Sequence, residues 1–234
     1  MATKRLEYID AARGLTMFLV VAQHITTYWG SVEAYEFSVL DQILRTFRMP
    51  LFFFISGFVA YKSSEFWNYD FLKRRLLTKA QVQLIPAIVF SALFALCFGG
   101  APLGFLRDGF GYFWFTPVLF GMFCIYFPCC YLLRKSPKAL DWTLLAIAAI
   151  AAILSFAILG HLIDFNPTLD KFQVGQILYY FEFFVLGHLV RKHEQRAFSI
   201  LSNDWLNFAA IIVFVASMLL ILPGSGLSLN VPPS

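Results

Sequence analysis

Residues 40–61 read LDQILRTFRMPLFFFISGFVAY. This stretch is long and apolar enough to cross the hydrocarbon core of a bilayer, which takes roughly 20 apolar residues in a helix. Similar stretches recur along the chain and together predict seven spans, at about 13–30, 40–61, 83–100, 112–133, 142–160, 174–190 and 205–222. The sequence therefore predicts an all-α fold, a polytopic bundle of transmembrane helices.

The composition supports a membrane protein. Hydrophobic residues make up 59% of the chain and charged residues only 14%, whereas a soluble domain carries about 25% charged residues. This balance excludes a disordered chain, a secreted disulfide scaffold and an ordinary cytosolic enzyme. The cysteines lie in apolar stretches without ligand or disulfide spacing, so we interpret them as small apolar residues: Cys97, Cys124, Cys129 and Cys130.

The basic residues predict the orientation of the spans. If the N-terminus is cytoplasmic, only four of the 18 basic residues fall on the outer side: Arg45, Arg48, Arg107 and Lys171. The other fourteen fall on the inner side, as the positive-inside rule requires. We therefore expect a multi-pass protein of the inner or plasma membrane whose partner is the lipid bilayer. No soluble basic face is present that would bind nucleic acid.

Ionisable residues inside predicted spans are candidates for function, because burying a charge in the membrane costs about 2.5–3.5 kcal/mol on insertion scales. His24 lies eleven residues after Arg13, on the same face of the first span and roughly 16 Å further along its axis. A histidine there is either a packed, hydrogen-bonded residue or a general base. Asp10 lies one turn before Arg13, near the same face.

The second span carries two further cations near its outer end. Arg45 and Arg48 share a face and are followed by Pro50, which frees a backbone carbonyl in the helix. Either the two arginines extend to the lipid headgroups, or they line a cavity for an anionic or polyhydroxyl ligand.

Glu182 interrupts the sixth span at a depth similar to that of His24. A buried carboxylate needs a partner, so we expect an ion pair with Arg48, Arg45 or His24. This pair would either fix the packing of the helices or form part of a binding site.

The run Lys73-Arg74-Arg75, with Lys79 after it, has two interpretations. It is either an ordinary signal of the cytoplasmic side or a docking site for a phosphate-bearing donor. The remaining histidines, His161, His188 and His193, have no companions at metal-ligand spacing, so no metal site is predicted.

Two motifs in the first two spans are similar to those of a known family. Ten positions separate Arg13 from His24, and residues 47–59 read FRMPLFFFISGFV. This combination resembles the acyltransferase-3 family of integral membrane proteins, whose first span carries a basic residue, ten positions and a histidine. Later similarities are the basic run before Ile85-Pro86, the pair Trp114-Phe115, and FFVLG at 183–187. The resemblance extends over about 190 residues.

The resemblance implies transfer of an acyl group, most often acetyl, from cytosolic acyl-CoA to a hydroxyl of an envelope carbohydrate or lipid-linked sugar. It implies acyl-CoA as donor substrate and no tightly bound cofactor. The catalytic residues would be His24, as general base, and Arg13, with Asp10 and Pro50 in structural roles. Substrate-binding residues would be Arg45, Arg48, Glu182, Lys73, Arg74 and Arg75.

Two alternatives stay open at this point. A transporter or flippase could use the same buried charged residues, although no internal repeat of the kind common in transporters is seen. The other alternative is an inactive, shortened member of the family. Family members have about ten spans against the seven counted, so we expect residues 1–234 to form one domain that is incomplete at its C-terminus.

Overall fold

The computed structural model describes residues 7–29, 39–62, 66–97, 100–101, 103–104, 110, 113–160, 162, 171 and 173–221. Within these ranges it describes side chains except at 7–8, 23–29, 39–46 and 214–221. These residues form eight helices: α1 (Glu7–Trp29), α2 (Val39–Ala60), α3 (Tyr69–Cys97), α4 (Phe115–Leu132), α5 (Pro137–Leu159), α6 (Val174–Lys192), α7 (Glu194–Leu201) and α8 (Asp204–Ile221).

The all-α prediction is confirmed over the described residues, and each predicted span coincides with a helix. The largest difference is in α3, which begins at Tyr69 although its apolar stretch begins near residue 83. Among the described helices, α3, α4 and α5 are long and apolar enough to cross a membrane, and shorter apolar helical stretches lie at Phe47–Ala60 and Asp204–Val213. The count of seven spans stays a prediction.

Helix α6 is at the centre of the packing. It lies along both α2 and α5 and also contacts α4, while α1 packs on α2 and α3 packs on α4. The core that these helices enclose is largely aromatic, and its fully buried side chains include Phe53, Phe123, Phe127, Phe181 and Phe184.

Glycines allow α2 and α6 to approach each other closely. A Cβ atom placed on Gly57 would collide with the carbonyl of Phe184, and one placed on Gly187 would collide with the carbonyl of Phe54. Small residues at such positions let helix backbones touch, which is how helices associate tightly within membranes. The Ser-Gly pair of α2 and the FFVLG segment of α6 therefore form one interface.

The proline in α2 does not end the helix. Pro50 lies inside the continuous helix Val39–Ala60, so the carbonyl that it frees does not interrupt the helix. Proline removes one hydrogen bond from a helix, and the packing of neighbouring helices in a bundle can compensate for this loss. Met49, directly before the proline, and Phe53, three residues after it, are both buried in the core.

Candidate active site

A group of positive charges lies in the predicted cytoplasmic, or inner, half of the bundle. The charges of Arg75, Arg13 and Lys62 all act on the ammonium group of Lys79. We call these four residues the inner cation cluster. Helix α1 supplies Arg13, the segment after α2 supplies Lys62, and α3 supplies Arg75 and Lys79.

Aromatic rings hold the two cations of α3 in place. The Lys79 ammonium lies 4.2 Å from the centre of the Phe123 ring. The Arg75 guanidinium carbon lies 5.3 Å from the ring centre of Phe71 and 5.7 Å from that of Phe127. Cation–π contacts of this kind are favourable, and they hold Lys79 against the middle of α4 and Arg75 one turn closer to the predicted inner end of that helix.

The cluster can bind a polyanion. Like charges held together raise the local electrostatic potential, and a ligand with several phosphates would neutralise it through charge-assisted hydrogen bonds.

Among the described residues, no three His, Cys, Asp or Glu side chains are placed to hold a metal ion.

The three residues of the basic run Lys73-Arg74-Arg75 do not lie on the same side of α3. Arg75 belongs to the cluster, whereas Lys73 and Arg74 are exposed on the other side of α3. Sequence reasoning left Lys62 out of the site, and it grouped Lys79 with the basic run without naming it among the binding residues. The four-residue spacing between Arg75 and Lys79 was the available signal, because it places both on one face of a helix.

Arg48 lies in the bundle on the outer side of the cluster. It is only 4% exposed, so the interpretation in which it extends to the lipid headgroups is wrong. Its charge acts on the phenol of Tyr180 in α6. The Arg45 side chain is outside the described residues.

Tyr180 is the centre of an aromatic group beside Arg48. Its ring stacks on Phe53 at 5.0 Å and on Trp114 at 5.9 Å between ring centres. The Trp114 side chain is partly exposed. Arg48 and these rings therefore bring together, in the outer half of the bundle, a cation and flat apolar surfaces.

His24 belongs to α1, but its side chain lies outside the described residues. Its role stays a prediction. Its proposed companion Arg13 is exposed and Asp10 is half-buried. The structural role of Asp10 as the partner of Arg13 stays a prediction.

Glu182 does not join either group. Its side chain is exposed, as are Tyr179 and Leu186 one turn away on the same face of α6. The opposite face carries the buried Phe181 and Phe184. No ion pair joins Glu182 to Arg48 in the described part of the chain. The side chains of the other two expected partners, Arg45 and His24, lie outside it, so a pair with either of them stays a prediction.

A buried histidine is the other site that sequence reasoning missed. His188 is fully buried, and its Nδ1 lies 2.9 Å from the Tyr126 hydroxyl, which donates to it when the ring proton is on Nε2. That Nε2 faces Asp141 Oδ1 at 3.7 Å. Asp141 also accepts a hydrogen bond from Lys192 Nζ at 2.6 Å. These contacts join α4, α5 and α6 at their inner ends.

We expect Tyr126→Phe to lower the free energy of unfolding by about 1–3 kcal/mol, because the buried Nδ1 of His188 would lose its donor. Tyr131→Phe, on the same helix but only partly buried, is the matched control. Denaturant unfolding of both variants in detergent measures the difference. Equal stability of the two variants would show that the hydrogen bond contributes nothing.

The chain was compared with known proteins. It matches the Acyl_transf_3 family model, which describes an acyltransferase domain, over residues 6–233. No curated protein and no solved structure matches it. The match covers nearly all of the chain, including the first two predicted spans, which carry Arg13, His24 and the segment Arg48-Met49-Pro50. The chain therefore belongs to the acyltransferase-3 family and is a membrane acyltransferase that transfers groups other than aminoacyl groups.

Proposed function

We propose that this protein transfers an acetyl group from cytosolic acetyl-CoA to a hydroxyl of a cell-envelope carbohydrate, in the inner or plasma membrane. The observation that carries the proposal is the inner cation cluster, because one of its members, Arg13, lies on the same helix as His24. The cluster supplies a site for the phosphates of coenzyme A, and α1 leads from that site into the membrane.

The donor enters from the cytoplasm. Its phosphates bind at Arg13, Lys62, Arg75 and Lys79, and its acyl arm extends along α1. His24 lies eleven residues beyond Arg13, roughly 16 Å further along the helix. The thioester thereby reaches the depth of His24 while the nucleotide stays at the inner surface.

The acceptor reaches the same depth from the outer side. A sugar presents C–H faces that pack on aromatic rings and hydroxyls that accept hydrogen bonds from a guanidinium. Trp114, which is partly exposed, provides the ring. Arg48 provides the guanidinium, near the Tyr180 ring on which Trp114 stacks. Arg45, one turn before Arg48 in α2, is a further candidate for this side.

The reaction needs one proton acceptor. His24 removes the proton of the sugar hydroxyl as its oxygen attacks the thioester carbonyl. The C–S bond then breaks, the new ester forms, and the CoA thiolate takes the proton from His24. Arg48 stabilises the oxyanion that develops on the carbonyl.

Membrane vesicles of opposite orientation test the proposal. Inside-out vesicles containing the chain would be given acetyl-CoA labelled in the acetyl group, and ester-linked label in envelope carbohydrate would be counted. We expect label in inside-out vesicles and none in sealed right-side-out vesicles, because the cation cluster faces the cytoplasm. Uptake of the carbohydrate without ester formation would contradict the proposal and indicate a transporter.

Lys79→Met is expected to raise the KM for acetyl-CoA about tenfold while kcat changes little, since one charge-assisted contact to phosphate is lost. The methionine keeps an apolar stem over Phe123, and removing one of four like charges will not lower stability. Lys138→Met, on the exposed inner end of α5, is the control. An unchanged KM for the Lys79 variant would remove the cluster from the donor site.

A further inference from the structure

A row of buried residues continues the inner cation cluster into the membrane along α3. Gln83, Ala87 and Ser91 follow Lys79 at intervals of four residues and are the buried residues of this helix. Gln81 and Val82, which lie between Lys79 and Gln83, are exposed. Each step of four residues rotates by about 40° around a helix, so the row forms a continuous ridge that winds obliquely across α3 from Lys79 to Ser91. We call this ridge the α3 track.

Two polar side chains in this row lack hydrogen-bond partners. Gln83 is 7% exposed and Ser91 is 9% exposed. The Oε1 atom of Gln83 and the Oγ atom of Ser91 are buried and make no hydrogen bond. An unpaired buried polar group costs about 1–3 kcal/mol, and a lipid-embedded bundle offers it no bulk water. Two such atoms on one track are positions at which a bound molecule would supply the partners that the protein does not.

The track connects the two ends of the proposed donor path. Gln83 lies about 6 Å beyond Lys79 along α3, and Ser91 lies about 18 Å beyond it. On α1, His24 lies roughly 16 Å beyond Arg13, whose charge acts on Lys79. Because α1 and α3 run in the same direction in the predicted orientation, the track begins at the cation cluster and ends at the depth of His24.

We propose that Gln83 and Ser91 bind the amide-bearing arm that links the phosphates of acyl-CoA to its thioester. The Gln83 Oε1 accepts a hydrogen bond from an amide N–H of the arm, and the Ser91 hydroxyl donates to a carbonyl nearer the thioester. This assignment rests on the proposed function, since it requires acyl-CoA as the donor. It adds a subsite that recognises the arm itself, apart from the phosphates.

Gln83→Leu separates a ligand subsite from a structural residue. If Gln83 only fills space, leucine removes an unpaired polar atom and leaves stability and binding equal or improved. If Gln83 binds the arm, the variant is equally stable but binds coenzyme A about tenfold more weakly. The matched control is Gln81→Leu, two residues earlier on the exposed face of α3. Ser91→Ala is a second variant, which keeps the test decisive if leucine impairs folding.

Two probes identify which part of the donor each residue contacts. Coenzyme A and pantetheine, which has the amide arm but no phosphate, would compete with labelled acetyl-CoA for the full chain in detergent. We expect Gln83→Leu and Ser91→Ala to weaken the binding of both competitors, and Lys79→Met to weaken the binding of coenzyme A alone.

The outcomes keep the two proposals apart. If the unsubstituted chain binds coenzyme A and both track variants bind it as tightly as Gln81→Leu, the subsite is overturned and the donor assignment stands. If the track variants bind coenzyme A more weakly but bind pantetheine as tightly as the unsubstituted chain does, the subsite is also overturned. If the unsubstituted chain does not bind coenzyme A at all, the proposed function and the subsite fail together.

Discussion

Alanine at Gly57 or Gly187 is expected to prevent α2 and α6 from packing and to lower the free energy of unfolding by more than about 3 kcal/mol. A Cβ atom at Gly187 would meet the Phe54 carbonyl oxygen and lie 2.8 Å from the Phe58 nitrogen. One at Gly57 would meet the Phe184 carbonyl oxygen and lie 2.7 Å from its carbon. Both obstacles are helix backbone, which cannot turn aside as a side chain can.

Gly14→Ala is the matched control for these variants. Gly14 lies inside α1, and a Cβ atom there would meet nothing within 4 Å. Because alanine favours a helix over glycine by about 1 kcal/mol, this variant should be as stable as the original chain or more stable. Thermal unfolding in detergent compares the three. A Gly187→Ala protein as stable as Gly14→Ala would contradict the close packing of α2 on α6.

His24→Ala is expected to reduce acyl transfer by about 10²–10⁴-fold at saturating acetyl-CoA, the usual contribution of a general base. Coenzyme A binding should persist, because the cation cluster and the α3 track are unchanged. The assay counts ester-linked label per folded protein.

His193→Ala is the control for His24, since its side chain is 44% exposed at the inner surface. His188 is unsuitable as a control, because it is fully buried against Tyr126 and its loss would disturb the core. Equal transfer by the His24 and His193 variants would remove His24 from catalysis. Loss of transfer in both would point to folding or insertion as the cause.

The positions of the helices could be predicted because each apolar stretch is long and bounded by charged or turn-forming residues. The start of α3 could not. Hydropathy reports only where the apolar part begins, whereas this helix extends through Lys73 and Lys79 to Tyr69. Its inner turns are amphipathic: Arg75 and Lys79 lie over aromatic rings of the core while Lys73 and Arg74 face outward.

The helix to which a residue belongs could be predicted more reliably than the face of that helix on which the residue lies. The sequence placed Arg48 and Glu182 inside predicted spans, but it did not show that Arg48 faces the core and Glu182 does not. The rotation of a helix depends on which neighbours it packs against, and those pairs are set by contacts far apart in sequence. The same limit hid the cluster of Tyr126, Asp141 and His188, which come from three different helices.

The glycine contact between α2 and α6 limits how this protein can move. Two helices that touch backbone to backbone behave as a rigid body, because sliding or turning either would drive main-chain atoms together. Helix α3, in contrast, packs mainly on α4. If helices must move apart to admit or release the donor, α3 is the one that the packing restrains least. We therefore expect a covalent cross-link between α3 and α1 to halt turnover, and one between α2 and α6 to leave it unchanged.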